Sequence, residues 1–216
     1  MKTDNLVINF LGDSITQGCG TSGPDKIFHA VLAKELGIKA NNYGVSGTRI
    51  ARQTTGCEDF LEYFQKRAER MDKNADVVVV FGGTNDFGHG TAPFGCFKST
   101  TVDSFYGAMH NLCKYLIAEY AGKPIIFMTP LHRKNELDSR GDGSKPYGSH
   151  VLKDYVDVIK EVCEYYSLPV LDLYATSGIQ PNHEVICEKF CPDGLHPNDE
   201  GHKIIAARLK GFLQSL

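Results

Sequence analysis

The run DVVVVF, from Asp76 to Phe81, restricts the fold of this chain more than any other stretch. Four consecutive valines leave no alternate polar position of the kind that a strand with one solvent-exposed face carries. A strand that is apolar on both faces is typical of a parallel sheet covered by helices on both sides. The run therefore predicts a central strand in a layered α/β protein.

The rest of the chain alternates between apolar stretches with strand character and stretches with helical periodicity. The predicted strands are Leu6–Leu11, Lys39–Tyr43, Asp76–Phe81, Pro124–Met128 and Pro169–Leu173, and the predicted helices are Ile27–Leu36, Glu58–Met71, Val102–Tyr120, Ser149–Tyr166 and Asp199–Leu213. This order predicts a three-layer α/β/α fold with a five-stranded parallel sheet in the flavodoxin-like order 2-1-3-4-5. The sequence shows no repeat or linker, so residues 1–216 are predicted to form a single domain.

Charge and cysteine content exclude several classes of function. The net charge of -3 does not support a large basic face, so we expect no nucleic-acid partner. No apolar run approaches the roughly 20 residues that span a bilayer, so we expect no membrane insertion. The seven cysteines are an odd number, and no signal-peptide core is recognisable, so free thiols in the cytoplasm are expected.

Polar, glycine-rich stretches follow the predicted strands. They are Gly12-Asp13-Ser14 after the first strand, Gly44–Gly47 after the second, Gly82–Asp86 after the third, and Asp193–Pro197 in a loop beyond the fifth. Ligands of doubly wound sheets bind beyond the carboxyl ends of the strands. We therefore expect these four stretches to meet at one edge of the sheet.

These stretches contain the residue types that acyl transfer requires. A serine such as Ser14 becomes nucleophilic only when a base takes its proton, and the usual base is a histidine oriented by a carboxylate. Asp193 lies three residues before His196, a spacing that puts both on one side of a helical turn. Donors for a developing oxyanion are the Ser14 N–H, backbone N–H groups at Gly44 and Gly47, and the Asn85 side chain.

The same residues resemble the SGNH hydrolases of the GDSL esterase/lipase superfamily. Four blocks carry the resemblance, in the order typical of the family: Gly12-Asp13-Ser14, Asn42–Gly47, Gly83–Asp86 and Asp193–Pro197. The resemblance implies that Ser14 is the nucleophile, His196 the base and Asp193 the residue that orients it. It also implies an oxyanion hole made of the Ser14 N–H, the Gly44 N–H and the Asn85 side chain. Ile15 stands where leucine is common in the family.

Simpler interpretations exist for each block taken alone. Ser14 or Asp13 could cap a helix, and the glycines could belong to ordinary turns. The residues His183, Cys187, Cys191 and His196 could suggest zinc, but their spacing matches no common structural site, so no metal and no cofactor is expected. Ser46 is a rival nucleophile, although no G-x-S-x-G elbow surrounds it.

Two long polar loops, Asp86–Thr101 and Leu131–Gly148, are predicted to frame the pocket. The second contains Arg133, Lys134 and Arg140, and no long apolar lid is visible. We therefore expect a small-molecule ester substrate: a small acyl group, in particular acetyl, on a polar alcohol such as a carbohydrate. The alternatives are a lysophospholipase or thioesterase for longer acyl chains, and a non-catalytic binding module of the same fold.

Overall fold

The computed structural model describes residues 6–53, 62–146 and 149–216, and its centre is the expected sheet. The five strands are β1 Val7–Gly12, β2 Lys39–Gly44, β3 Val77–Phe81, β4 Ile125–Met128 and β5 Val170–Leu171. All neighbouring strands are parallel, and their spatial order is β2-β1-β3-β4-β5. The predicted topology is therefore confirmed.

Helices follow every strand, and the long ones match the predicted ranges to within a few residues. In the described ranges they are α1 Ser14–Gln17, α2 Phe28–Leu36, α3 Phe64–Ala68, α4 Thr84–His89, α5 Phe105–Glu119, α6 Leu152–Tyr165, α7 Leu173–Thr176, α8 Glu184–Phe190 and α9 Asp199–Ser215, with a 3-10 turn at Pro24–Lys26. None of them combines the length and the apolar character needed to cross a bilayer.

Two predicted elements differ from the structure. The helix expected over Glu58–Met71 is observed only as α3, with turns after Ala68, and the predicted residues 58–61 lie outside the described residues. The strand expected over Pro169–Leu173 is reduced to β5, because Asp172 ends it. The Asp172 side chain accepts a hydrogen bond from the Ala175 N–H at 3.1 Å, which caps α7 and turns Leu173 into a helical residue.

The sheet separates two apolar cores, and β3 contributes to both. Val78 and Val80 face the core that α5 and α6 cover, whereas Val77 and Val79 face the core that α2 and α9 cover. Every residue of β3 is at most 3% exposed. The double-sided burial inferred from the four valines is thus what the structure shows.

The register of the sheet fixes where the polar stretches begin. Gly12, the last residue of β1, pairs with Gly44 of β2 on one side and with Phe81 of β3 on the other. The segments that follow these three strand ends therefore leave the sheet side by side at its carboxyl edge.

Candidate active site

Ser14 lies at the start of α1, two residues beyond the end of β1. The Asp13 side chain caps this short helix by accepting a hydrogen bond from the Ile15 N–H at 3.1 Å. Ser14 is 3% exposed, and its Oγ lies 3.0 Å from Nε2 of His196. Two residues that are 182 positions apart in the chain are thus in hydrogen-bond contact.

Asp193 and His196 are held in place by the backbone of their own turn. Asp193 Oδ1 accepts hydrogen bonds from the Leu195 N–H at 2.8 Å and the His196 N–H at 2.6 Å, while Oδ2 lies 2.7 Å from Nδ1 of His196. Burial opposes ionisation of Asp193, but these N–H donors and the imidazole outweigh it and hold the pKa of the carboxyl below its usual value. Asp193 is therefore a carboxylate that fixes the orientation of the His196 ring.

Asn85 is the second residue of α4 and is 4% exposed. Its amide Nδ2 donates one hydrogen bond to the Thr48 carbonyl at 3.0 Å. The next residue, Asp86, accepts hydrogen bonds from the N–H groups of Ile50 and Ala51, both at 2.9 Å. The start of α4 is thus anchored to the segment that follows β2, and the second amide N–H of Asn85 has no partner among the described residues.

The two glycines after β2 differ in what their N–H groups do. The Gly44 N–H donates to Oδ1 of Asn42 at 2.8 Å, so the donor that the sequence assigns to the oxyanion hole already has a partner in this structure. Gly44 also packs against α1: a Cβ there would lie 2.2 Å from the Gln17 nitrogen. Gly47 has a left-handed backbone with φ of 76°, and its N–H donates to none of the described residues.

Arg67 of α3 is a residue that sequence reasoning missed. It is 4% exposed and donates to the Gly12 carbonyl at 2.9 Å, to Thr48 Oγ1 at 2.7 Å and to the Tyr43 carbonyl. Burial lowers the pKa of its guanidinium to about 10, so the group remains charged at neutral pH. Arg67 therefore ties the ends of β1 and β2 to the segment that carries Gly47. In the sequence it looks like one more charge on a surface helix.

A cavity of about 570 Å³ lies beyond the last turn of α4. Both long loops contribute to its wall, the first through His89–Phe94 and the second through Ser144–Pro146. Two cations that suggested a polar substrate have other roles. Arg133 is 5% exposed and donates to the Thr84 carbonyl and to Asp142, which secures α4, and Arg140 pairs with Asp138.

The zinc interpretation finds no support in the described residues. No group of three or more His, Cys, Asp or Glu side chains is placed there to hold a metal ion. His196 is directed to Ser14, and the Cys187 thiol donates to the Cys191 carbonyl at 3.3 Å.

At the carboxyl edge of the parallel sheet, a hydroxyl, an imidazole and a carboxylate thus lie in line, which is the arrangement that serine hydrolases use. Residues 10–204 match the model of the GDSL-like lipase/acylhydrolase family, and the chain belongs to this family. The resemblance drawn from the four sequence blocks is thereby confirmed.

Individual relatives agree with this assignment. An acetylxylan esterase of Xylanibacter ruminicola is 26% identical over 97% of this chain, but the match spans only 44% of that esterase, so the chain is about half as long as this relative. A crystal structure of a protein from Lactobacillus plantarum is 27% identical, with a TM-score of 0.84 over 98% of both chains. The lipase/acylhydrolase from Enterococcus faecalis shares the fold, with 23% identity and a TM-score of 0.66 over 97% of this chain and 96% of that one.

Proposed function

We propose that this chain is a serine-dependent carboxylic ester hydrolase that removes a small acyl group, in particular acetyl, from a polar alcohol such as a carbohydrate. The observation that carries the proposal is the pair of contacts at His196, 3.0 Å from Ser14 Oγ to Nε2 and 2.7 Å from Asp193 Oδ2 to Nδ1. Membership of the GDSL-like lipase/acylhydrolase family and the similarity to an acetylxylan esterase support it.

The proposed reaction uses the three side chains in sequence. His196 takes the Ser14 proton at Nε2 while Oγ attacks the ester carbonyl carbon, and Asp193 stabilises the imidazolium that forms. Collapse of the tetrahedral intermediate expels the alcohol, which receives the proton from His196, and leaves the acyl group on Ser14. Water, deprotonated by the same imidazole, then releases the carboxylic acid and restores the hydroxyl.

The proposed oxyanion hole uses the Ser14 N–H, the Asn85 amide and a glycine N–H after β2. The sequence assigns the last role to Gly44, and that assignment requires Asn42 to release the N–H on substrate binding. Gly47 is an alternative donor, because its N–H has no partner among the described residues and its neighbour Thr48 anchors Asn85.

Location and cofactor use belong to the same proposal. All six cysteines in the described ranges are free thiols, and this supports our proposal that the protein works in a reducing compartment, the cytoplasm. The chemistry of a Ser-His-Asp site requires neither a metal ion nor an organic cofactor. The only partner in the proposal is the small-molecule ester.

Covalent labelling tests the proposal directly. A fluorophosphonate should modify Ser14, as read by mass spectrometry of the peptide, and Ser14→Ala should abolish both labelling and hydrolysis of a short-chain nitrophenyl ester. Loss of this hydroxyl should reduce the free energy of unfolding by at most about 1 kcal/mol, because Asp13 still caps α1. Ser46→Ala is the control, in which Ser14 should still be labelled.

Three results would contradict the proposal or a part of it. Absence of labelling in a folded protein would favour a non-catalytic binding module. Efficient hydrolysis by Ser14→Ala would remove Ser14 as the nucleophile. Rates that rise steeply with acyl-chain length would replace the acetyl preference by the lysophospholipase or thioesterase alternative.

A further inference from the structure

We propose that the cavity beyond α4 binds an anionic group on the alcohol part of the substrate, with Arg49 as its main ligand. This proposal rests on the proposed function and names its substrate class: esters of acidic sugars, in which a carboxylate or a phosphate lies within one or two rings of the acylated hydroxyl.

Arg49 is a buried cation whose side chain has no hydrogen-bond partner among the described residues. The residue is 9% exposed, it lines the cavity, and its Nε is buried without a hydrogen bond. Its side chain forms no hydrogen bond or ion pair with any of the described residues. Because an unpaired buried charge is unfavourable, a cation in this position is typical of a site whose counter-ion arrives with a ligand.

The backbone holds Arg49 rigidly at the cavity. Its carbonyl accepts a hydrogen bond from the Phe64 N–H at 3.0 Å. Its two neighbours in the chain, Thr48 and Ile50, are both bonded to α4, Thr48 through Asn85 and Ile50 through Asp86. Arg49 is thus fixed by the same contacts that fix the proposed oxyanion hole.

The surroundings of Arg49 favour an anion. Lys145 also lines the cavity, where its ammonium donates to Tyr155 Oη at 2.8 Å and to the Asp86 carbonyl. Burial lowers the pKa of Lys145 to about 8, which leaves it mostly protonated at pH 7. None of the described residues that line the cavity is acidic.

Asp86 attracts Arg49 electrostatically, but neither Asp86 nor Asp142 forms an ion pair with it. Asp86 accepts the N–H groups of Ile50 and Ala51, and Asp142 pairs with Arg133. Through its described residues, the cavity therefore presents two cations and no carboxylate to a ligand.

Helix α4 connects the cavity to the catalytic site. Asn85 lies at its start and His89, which lines the cavity, at its end. Four residues of helix correspond to about 6 Å along the axis. We therefore expect an ester held at Ser14 to place a substituent of the same sugar, or of the adjacent one, in the cavity. The planar guanidinium of Arg49 offers two parallel N–H donors that match a carboxylate or a phosphate.

Three substrates test the proposal: the per-acetylated methyl glycosides of xylose, of glucuronic acid and of a glucose phosphate. The first is neutral, the second carries a carboxylate and the third a phosphate. We expect kcat/KM of the wild-type protein to be about 10- to 100-fold higher for at least one anionic glycoside than for the xyloside, the range that one charge-assisted contact provides. The comparison of the glucuronic acid glycoside with the glucose phosphate glycoside shows whether the site prefers a carboxylate or a phosphate.

Arg49→Gln should remove this preference by raising KM for the anionic glycosides, since one charge-assisted contact is lost. Arg49→Lys, which keeps the positive charge, should retain part of the preference for anionic glycosides. Arg208→Gln, which removes the same charge from an exposed position on α9, is the matched control and should keep the full preference.

Equal kcat/KM for the three glycosides in the wild-type protein would overturn the subsite whether or not the variants fold. An anion preference that survives in Arg49→Gln would overturn the role of Arg49. The proposed function fails separately: it fails if no glycoside and no nitrophenyl acetate is hydrolysed and Ser14 is not labelled.

Discussion

Asn85 has one amide N–H bonded within the protein and a second with no partner among the described residues. The first anchors the side chain on the Thr48 carbonyl at 3.0 Å, so the direction of the second is fixed before a substrate binds. Such preorganised donors stabilise a transition state more than flexible ones, because no reorganisation is needed when charge develops.

Replacing Asn85 by alanine should therefore reduce kcat by about 10²–10³-fold, equivalent to roughly 3–4 kcal/mol. KM should change little, because the hydrogen bond to the oxyanion forms mainly in the transition state. The measurement is kcat and KM on one short-chain ester. Asn74→Ala, at an exposed asparagine, is the control. If kcat is unchanged in folded Asn85→Ala, the oxyanion hole consists of backbone N–H groups alone.

For single residues, the sequence predicts contacts within one turn well and contacts between different elements poorly. The contact of Asp193 with His196 is visible as a three-residue spacing because both belong to one turn. The Gly44 N–H donates to the side chain of Asn42. This contact is also local, because asparagine side chains often accept a hydrogen bond from the backbone N–H two residues further along the chain. The roles of Arg49 and Arg67 depend on contacts with other elements, and no local pattern reveals them.

Among the elements, the helices that carry the site are those the sequence shows least clearly. Helix α1 has four residues and α4 has six, too few for a helical period to appear. They exist because strand ends, caps and buried arginines hold them, with Asp13 at α1 and Arg133 at α4. The long helices were predicted because each buries a continuous apolar face against the sheet.

Helices α2 and α9 pack together through a buried histidine, and this predicts a pH effect on stability. His202 is fully buried, and its Nδ1 accepts a hydrogen bond from the Phe28 N–H at 3.1 Å, which only a neutral ring allows. Burial lowers the pKa of His202 to about 4. As pH falls from about 6.5 to 4, the unfolded chain binds a proton that the folded chain does not, so stability decreases.

The loss from this group should approach about 3 kcal/mol below pH 4, an order-of-magnitude figure. Burial raises the pKa of Asp13 and Asp86, and these groups act in the opposite direction, so the test is a difference between variants. His202→Asn keeps an acceptor but cannot be protonated, and its free energy of unfolding should fall less than that of the wild type between pH 6.5 and 4. His183→Asn, at an exposed histidine, should follow the wild type. If the free energy of unfolding fell by the same amount between pH 6.5 and 4 in all three proteins, the role of His202 would be contradicted.

For the whole molecule, the sheet explains why distant sequence blocks form one site. The parallel register brings the ends of β1, β2 and β3 together, and the crossing helices return each strand to the same edge. This part of the architecture was predictable from the alternation of elements and from the valine run of β3. The length of the two loops predicted that they frame a pocket, but the contribution of Arg49 and Gln53 from the segment after β2 was not predicted, because loop conformation has no periodic signal.

We also propose that residues 1–216 fold as a single domain, and the cysteines offer a test of it. Cys113 and Cys163 are buried in the core on one side of the sheet, and Cys191 is buried in the core on the other side. If the two cores share the sheet as one cooperative unit, all three thiols become reactive only on global unfolding.

A thiol reagent, with each site read by mass spectrometry, should then give one denaturant midpoint for all three, coincident with the loss of far-ultraviolet circular dichroism. Cys96 is exposed and should react without denaturant, which confirms that the reagent is active. A clearly lower midpoint for Cys191 would show that the layer formed by α2 and α9 opens separately, and the chain would then consist of two cooperative units.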